Sequence, residues 1–322
     1  MGASKNISVA MCTYNGERYL REQLDSITSQ TMLPAELIIC DDGSVDSTLK
    51  IAEDFAHSSP FKVRVQRNSK NLGVTKNFEQ AICLSSGEFI ALCDQDDVWY
   101  PQKLAALSAK LSANPLAGGV FSNADLIDEN SRPLGKELWQ AFDFSPKFQR
   151  RFMHSDQVSV LLKRGVVTGA TFMIRADLRN AFSPIPSSWL HDDWISWMLA
   201  LKSRLIFTTE RLLGYRVHSG QQAGVPALTL RGRMSQSREK ESRMSRERMQ
   251  RFKDLKARLG DMHIEASPNL IKDIENVIRH SDARANLGRS YFDRLRYVLS
   301  HYAAYDRYSN GLRTMLKDIL QP

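Results

Sequence analysis

The sequence predicts an α/β fold: a mostly parallel sheet flanked by helices on both faces, followed by a helical C-terminal extension. Two observations carry this. Short apolar runs alternate with stretches of helical periodicity through the first third of the chain, and short turns separate them. That rhythm builds parallel sheets through right-handed crossovers. From Pro226 onwards Gly and Pro become rare and the pattern is helical to the end, broken at Gly260 and at Ser267-Pro268. A boundary near 225–230 therefore divides a first domain, 1–225, from an extension, 226–322.

Ile7–Met11 is the first apolar run, followed by the turn Thr13-Tyr14-Asn15-Gly16 and by Tyr19, Leu20, Leu24 and Ile27 at helical spacing. Glu36–Cys40 reads as the second strand, and Ser44-x-x-Ser47-Thr48 opens the next helix. Lys62–Gln66 is a third strand; Asn71-Leu72-Gly73 is a turn before the helix carrying Phe78, Ala81 and Ile82. Phe89–Cys93 and Pro101–Leu111 complete the alternation, and Gly119–Ser122 is a further strand. Residues 128–165 read as irregular, with Arg150, Arg151, Lys163 and Arg164 placed for a lid over a charged ligand. Val166–Ile174 reads as a strand interrupted by Gly169, Trp194–Leu201 as a helix, and Leu205–Thr208 and Leu212–Arg216 as two short strands.

The net charge is +8, and it lies wholly in residues 231–322, which hold 20 Lys/Arg against 12 Asp/Glu. The preceding 230 residues are balanced, so a nucleic-acid surface on the main domain is not indicated. A basic tail fits an anionic membrane surface or an acidic partner. Cys12, Cys40, Cys83 and Cys93 form no CxxC pair, which points to reduced cysteines in a cytoplasmic protein. With no apolar leader and no run of 18 apolar residues, neither secretion by a signal peptide nor a membrane span is expected.

Four acidic islands carry the chemistry: Asp41-Asp42, Asp94-Gln95-Asp96-Asp97, Asp125/Asp128 and Asp192-Asp193. The first two follow apolar strands. Carboxylates gathered at strand ends repel unless a cation or a donor-rich ligand sits between them, and open α/β sheets bind ligands at that edge. Neither a GxxxxGK[ST] loop nor a GxGxxG is present. A diphosphate would then be held by a metal, and Asp94-x-Asp96 offers hard oxygen ligands suited to Mg²⁺ or Mn²⁺. Asp125 and Asp128 read as surface residues.

Residues 7–225 resemble a family 2 glycosyltransferase of the nucleotide-diphospho-sugar transferase (GT-A, Rossmann-like) type, with a bacterial rhamnosyltransferase flavour. The matching segments are VAMCTYNGERYLREQLDSI, ELIICDDGSVDST, NLGVTKNFEQAI, FIALCDQDDVWYPQKL, TGATFMIR, LHDDWISWMLA and YRVHSGQQAG, in the expected order. The resemblance implies that Thr13, Tyr14, Asn15 and Glu17 line the nucleotide pocket. It implies that Asp41 accepts the imide N–H of uracil or thymine beside Asp42, and that Lys76 lies near the donor. Asp94 and Gln95 would meet ribose or sugar, while Asp96 and His218 would hold Mn²⁺ or Mg²⁺. Thr168, Gly169, Asp193 and Trp194 would face acceptor or donor sugar. Asp192 would be the general base; Asp193 stays open as the alternative on the residues alone.

The activity so implied is inverting transfer from a UDP- or dTDP-sugar, such as dTDP-rhamnose, UDP-glucose or UDP-galactose, to a saccharide acceptor. Lipid-linked acceptors of bacterial O-antigen or capsule synthesis, at the inner membrane face, are the expected setting. One base and no covalent nucleophile suits inversion. A sugar-1-phosphate nucleotidyltransferase would show a Gly-rich basic loop where TYNGERYL stands; a non-catalytic sugar-nucleotide or polysaccharide-binding subunit is the remaining alternative. In the tail, Tyr291, Leu295, Val298/Leu299, Tyr302 and Tyr305 form an apolar stripe, read either as membrane contact or as packing, including a homo-oligomer contact.

Overall fold

The computed structural model describes residues 6–154, 157–218, 221, 238–261, 266–288 and 290–320. They divide into two compact units. The first comprises 1–149 and 166–225, the second 150–165 and 226–322.

The first unit is a mixed α/β sheet flanked by helices. Its strands are β1 (Ile7–Thr13), β2 (Glu36–Asp41), β3 (Lys62–Arg67), β4 (Phe89–Cys93), β5 (Val98–Trp99), β6 (Ala117–Ile127), β7 (Pro133–Glu137), β8 (Phe172–Arg175) and β9 (Arg204–Arg216). Their order is β3-β2-β1-β4-β8-β6-β9-β5, with β7 paired to β6. The helices are α1 (Leu20–Thr28), α2 (Thr48–Ser58), α3 (Val74–Leu84), α4 (Lys103–Ser112) and α5 (Leu138–Ala141), then α6 (Pro146–His154), α7 (Gln157–Lys163) and α8 (His191–Lys202). The helix α6 runs across the boundary between the units, and α7 belongs to the second.

Every residue of β1, β2 and β4 is buried, which is why these strands read as unbroken apolar runs rather than alternating ones. Strand β3 lies at the edge and alternates exposed with partly buried positions. The later half departs from the expectations. β6 extends over 11 residues, and the two short strands expected after α8 are one strand of 13, bent by register shifts against β6. The expected strand 166–174 begins only at Phe172, because residues 169–171 form a 3₁₀ turn. The stretch 128–165 is not irregular: it holds β7 and α5–α7. Cys12, Cys40 and Cys93 are buried, whereas Cys83 is exposed.

In the second unit the long helix α9 (Arg238–Asp261) packs on α10 (Pro268–Ala285), and α11 (Tyr291–Ser300), α12 (Tyr302–Tyr308) and α13 (Leu312–Leu320) follow. Gly260 lies inside α9 and does not end it; residues 231–237 of the basic stretch fall outside the described residues. Val298, Tyr305, Met315 and Ile319 form one apolar cluster. Beside it Arg284 donates to both oxygens of buried Asp318, at 2.7 and 3.0 Å, and Tyr305 donates to the same carboxylate. The residues expected to form a lid belong to this unit. Lys163 donates to the Asp306 carbonyl and Arg164 to Asn310. No helix among the described residues is long and apolar enough to cross a membrane.

Candidate functional site

Strand direction assembles the site. β2, β1 and β4 run parallel, with Thr13 opposite Asp41 and Met11 opposite Cys93. Thr13, Asp41-Asp42 and Asp94–Asp97 therefore share the carboxyl edge of the sheet. β8 is antiparallel to β4, pairing Ala91 with Met173, so the turn preceding β8 lies at that same edge. β6 is antiparallel to β8 and parallel to β9, which delivers Arg216 and His218 there as well.

At the β2 end the two aspartates differ. Asp41 is fully buried and accepts four hydrogen bonds: from the Gly43 and Ser44 N–H groups at 3.2 and 2.9 Å, and from the Thr13 and Ser44 hydroxyls at 2.9 and 2.6 Å. A carboxylate has about four acceptor positions, so Asp41 is occupied within its own turn. Asp42 accepts Asn68 Nδ2 and the Leu72 N–H on Oδ1, both at 2.8 Å, but only the Gly73 N–H on Oδ2. Asn68 is itself held by Gln80 and Asn77, the latter tied to the Cys40 carbonyl. The NLGVTKNF segment thus folds around Asp42.

The turn after β1 is fastened to the turn after β2. Asn15, at φ 46°, accepts the Val45 N–H, and Glu17 accepts the Ser47 N–H. The Gln95 amide clamps Tyr14 by accepting from its N–H at 2.9 Å and donating to its carbonyl at 3.1 Å. Gly16 is required by this clamp: a Cβ there would fall 2.1 Å from Gln95 Oε1. Tyr14 is 39% exposed, an open ring beside the pocket. Lys76 lies on α3 paired with Glu79 at 2.6 Å.

Beyond β4 the carboxylates converge. Burial, then the neighbouring Asp96 and Asp192, push the Asp94 pKa up to about 8, while the Ala170 N–H and Lys103 counteract. Asp97 is driven upward by burial and by Asp96 and Asp94. Its Oδ1 accepts the Arg216 N–H at 2.9 Å, and its Oδ2 has no hydrogen-bond partner among the described residues. Asp96 Oδ2 lies 2.8 Å from His218 Nε2. Tyr19 packs against the His218 ring, 4.8 Å between centroids.

Asp192 sits in the first turn of α8, where the helix dipole favours a carboxylate. Its Oδ2 accepts the Gly169 N–H at 2.9 Å and its Oδ1 the Asp193 N–H at 2.8 Å, while burial pushes its pKa up. Asp193, like Asp192, is half-buried. Trp194 is fully buried and donates to the Phe182 carbonyl, so it packs in the core and leaves no surface open to a sugar. Thr168 supplies the carbonyl that closes the 168–171 turn onto the Thr171 N–H and hydroxyl. Asp125 and Asp128 serve local structure: Asp125 takes Tyr100 and Arg211, and Asp128 caps the turn to β7.

Three residues were not singled out from sequence. Arg216 is buried and holds the Asp96 carbonyl at 2.6 Å, the Asp128 carbonyl, Ser131 and Glu22, making one brace between the DQDD loop and α1. His191 stacks on Phe78 at 3.7 Å with neither ring nitrogen hydrogen-bonded among the described residues, and burial pulls its pKa down to about 3. Lys103 is fully buried. Its signal was its spacing: with Leu107 and Leu111 it falls on the apolar stripe of α4.

The donor set suits a small divalent ion. Asp96 and His218 converge, and no cluster of three or more His, Cys, Asp or Glu that could hold an ion occurs among the described residues. Mg²⁺ and Mn²⁺ sites of this kind take one or two protein ligands, the rest coming from substrate phosphates and water.

A glycosyl transferase family 2 model matches residues 8–181. The dTDP-rhamnosyl transferase RfbG of Shigella flexneri is 36% identical over 226 residues, covering 66% of this chain and 73% of that protein. Three uncharacterized mycobacterial proteins are 29% identical over 216 residues, and the chain spans 59% of their length. Among solved structures, S. aureus TarS 1-349 in complex with UDP-GlcNAc has a TM-score of 0.56 at 16% identity, covering 94% of this chain and 81% of that one. Mannosyltransferase PcManGT from Pyrobaculum calidifontis, in complex with GDP-Man and Mn²⁺, has a TM-score of 0.53 at 17% identity, covering 98% and 79%. With the family model spanning more than half of the chain, this protein belongs to glycosyl transferase family 2.

Proposed function

We propose that the chain transfers a sugar, with inversion, from a UDP- or dTDP-sugar to a hydroxyl of a saccharide acceptor. The observation that carries this is the pair Asp94 and Asp192. Two half-buried carboxylates from separate strand and helix ends grip the same turn, one through the Ala170 N–H and one through the Gly169 N–H, and the charge of Asp192 helps raise the pKa of Asp94. Asp192, with its raised affinity for protons, is suited to take the acceptor proton as the hydroxyl attacks the anomeric carbon. A divalent ion bound by Asp96 and His218 would neutralise charge developing on the departing diphosphate. Asp94 would then accept from ribose or sugar hydroxyls.

Reading of the base is better assigned to Asp42 than to Asp41, since Asp42 Oδ2 keeps an acceptor position and Asp41 has none. A dTDP-sugar is the first donor to test, since one relative, RfbG, is a dTDP-rhamnosyl transferase. The setting favoured is synthesis of a bacterial surface polysaccharide on a lipid-linked acceptor. In the second unit Phe292, Leu299, Tyr302, Leu312, Leu316 and Leu320 are exposed. Exposed apolar side chains in an extension whose residues 231–322 carry a net charge of +8 suit an anionic membrane surface, a second copy of the chain being the competing occupant.

A thermal-shift screen of UDP-, dTDP- and GDP-sugars with and without Mn²⁺ tests the donor. The expected result is an Mn²⁺-dependent rise with a dTDP- or UDP-sugar, on the order of 2.7 kcal/mol of apparent stability at a hundredfold excess over Kd. Asp96→Ala should abolish that dependence. Full Mn²⁺-stimulated turnover in Asp96→Ala would overturn the metal assignment.

A further inference from the structure

Lys103 is a cation in the interior of the first unit, at the first position of α4. Its ammonium donates to the Ala170 carbonyl and lies 3.5 Å from the centroid of the Trp99 ring. Burial pulls its pKa down to about 7, while Cys93, Asp97 and Asp94 act in the opposite sense. The carbonyl it holds belongs to the 3₁₀ turn Gly169–Thr171, and that turn is gripped at two more points. The Gly169 N–H donates to Asp192 at 2.9 Å, and the Ala170 N–H interacts with Asp94. Three side chains from three segments therefore meet on three consecutive peptide groups, 168–169, 169–170 and 170–171. Two of them are the carboxylates assigned to acceptor and donor, and the third is Lys103.

We propose that Lys103 is a positioning residue for transfer: by anchoring the Ala170 carbonyl it fixes the turn that sets Asp192 relative to Asp94. This rests on the reading of Asp192 as the base. Without the anchor the turn is held only by its own Thr168–Thr171 closure and by the two carboxylates it is meant to position, so the Gly169 N–H can shift along with the carboxylate it orients. Asp42, assigned to the base, and Asp96 with His218, assigned to the diphosphate's ion, do not touch that turn, so nucleoside diphosphate affinity is retained and the effect falls on the chemical step. The geometry of a reacting group tolerates little error, about 1 Å of displacement corresponding to about a hundredfold in rate.

The test compares Lys103→Met, which retains bulk without a donor, with Lys103→Gln, which can still donate to Ala170. Turnover is followed as release of nucleoside diphosphate from the nucleotide-sugar selected by the thermal-shift panel, with Mn²⁺ and water as acceptor. Affinity for the matching nucleoside diphosphate is measured separately. The expected result is a fall in kcat of about tenfold or more for Lys103→Met, with nucleotide Kd within about twofold of the parent, and a smaller loss for Lys103→Gln. Should Lys103→Met not fold, Lys103→Leu, which likewise lacks a donor, takes its place. A kcat unchanged in the variant without a donor, or kcat and affinity lost in parallel, overturns the proposal. Asp192→Asn is assayed alongside. If it keeps full turnover, the reading of Asp192 as the base fails; if it is inactive while the Lys103 variants keep the parent kcat, only the role of Lys103 fails.

Discussion

Gly169→Ala replaces one hydrogen by a methyl group at the crowded point where the turn before β8 meets α8. A Cβ at position 169 would lie 2.7 Å from His191 Nε2, 3.4 Å from His191 Cε1 and 3.7 Å from Asp192 Oδ2. Only the first distance is impossible, and His191 cannot easily yield, because its ring is stacked at 3.7 Å on fully buried Phe78. Relief must come from a displacement of several tenths of an ångström, shared between the turn and the start of α8. Overpacking of this kind costs about 1–3 kcal/mol. A misplacement of the base approaching 1 Å costs up to about 10²-fold in rate, so a loss of between about tenfold and about a hundredfold is expected. The assay is diphosphate release from the selected donor together with thermal melting. A double-mutant cycle isolates the cause: in a His191→Ala background the close contact is gone and the remaining neighbour, Asp192 Oδ2 at 3.7 Å, is at ordinary contact distance. The penalty of Gly169→Ala should then largely vanish, whatever His191→Ala costs by itself. An unaltered rate and melting temperature for Gly169→Ala alone, or an equal penalty in both backgrounds, would refute the steric account.

Two further outcomes are expected. Asp42→Asn should weaken UDP or dTDP binding by about tenfold or more, since an amide can present a donor to the imide N–H, and should also lower the melting temperature, because donors face both of its oxygens. Asp41→Asn should lower stability by about 1–3 kcal/mol as four buried donors lose their carboxylate, with nucleotide affinity of the folded variant little changed; isothermal titration and melting curves separate the two. The metal-free protein should also lose stability as pH rises. Asp94 holds its proton to about pH 8 when folded, far above an ordinary carboxyl, so its contribution is complete below about pH 4 and disappears as pH climbs towards 8. Asp97 and Asp192 shift in the same direction. Lys103, depressed to about 7, acts oppositely and only above that pH. Melting temperatures from about pH 5 to about pH 8 should therefore fall without Mn²⁺, and Mn²⁺ should restore more at the upper end. A flat metal-free profile would contradict the crowding of the carboxylates.

The early β-α alternation was legible because β1, β2 and β4 are buried on both faces and so read as continuous apolar runs. The glycine before β8 and a helix next to Asp192-Asp193 were likewise visible as local signals, although that helix begins at His191 and not at Trp194. What lies beyond residue 113 was harder. β6 and β9 are long strands whose pairing, with three register shifts, is set by contacts across nearly ninety positions of sequence, and no local period reports it. Helices in 138–163 escaped notice because short segments with mixed charge carry little periodicity.

By itself the sequence determined which residues carry charge and which strand ends carry it: Asp41-Asp42 after β2, Asp94–Asp97 after β4 and Asp192 at the start of α8. Local hydrophobic pattern and turn chemistry encode those positions. Only the tertiary structure decided how much hydrogen-bonding capacity each of them keeps. Asp41 and Asp42 are adjacent in sequence, yet four donors surround one and leave an acceptor position on the other. His218 reaches Asp96 across 122 positions because β9 runs parallel to β6. Lys103 is buried beneath the Ala170 carbonyl because α4 packs against β6 and β9. The physical reason is common to all three. The protonation and hydrogen-bonding capacity of a side chain depend on desolvation and on neighbours brought from distant segments, and those quantities come into being only when the sheet closes around them.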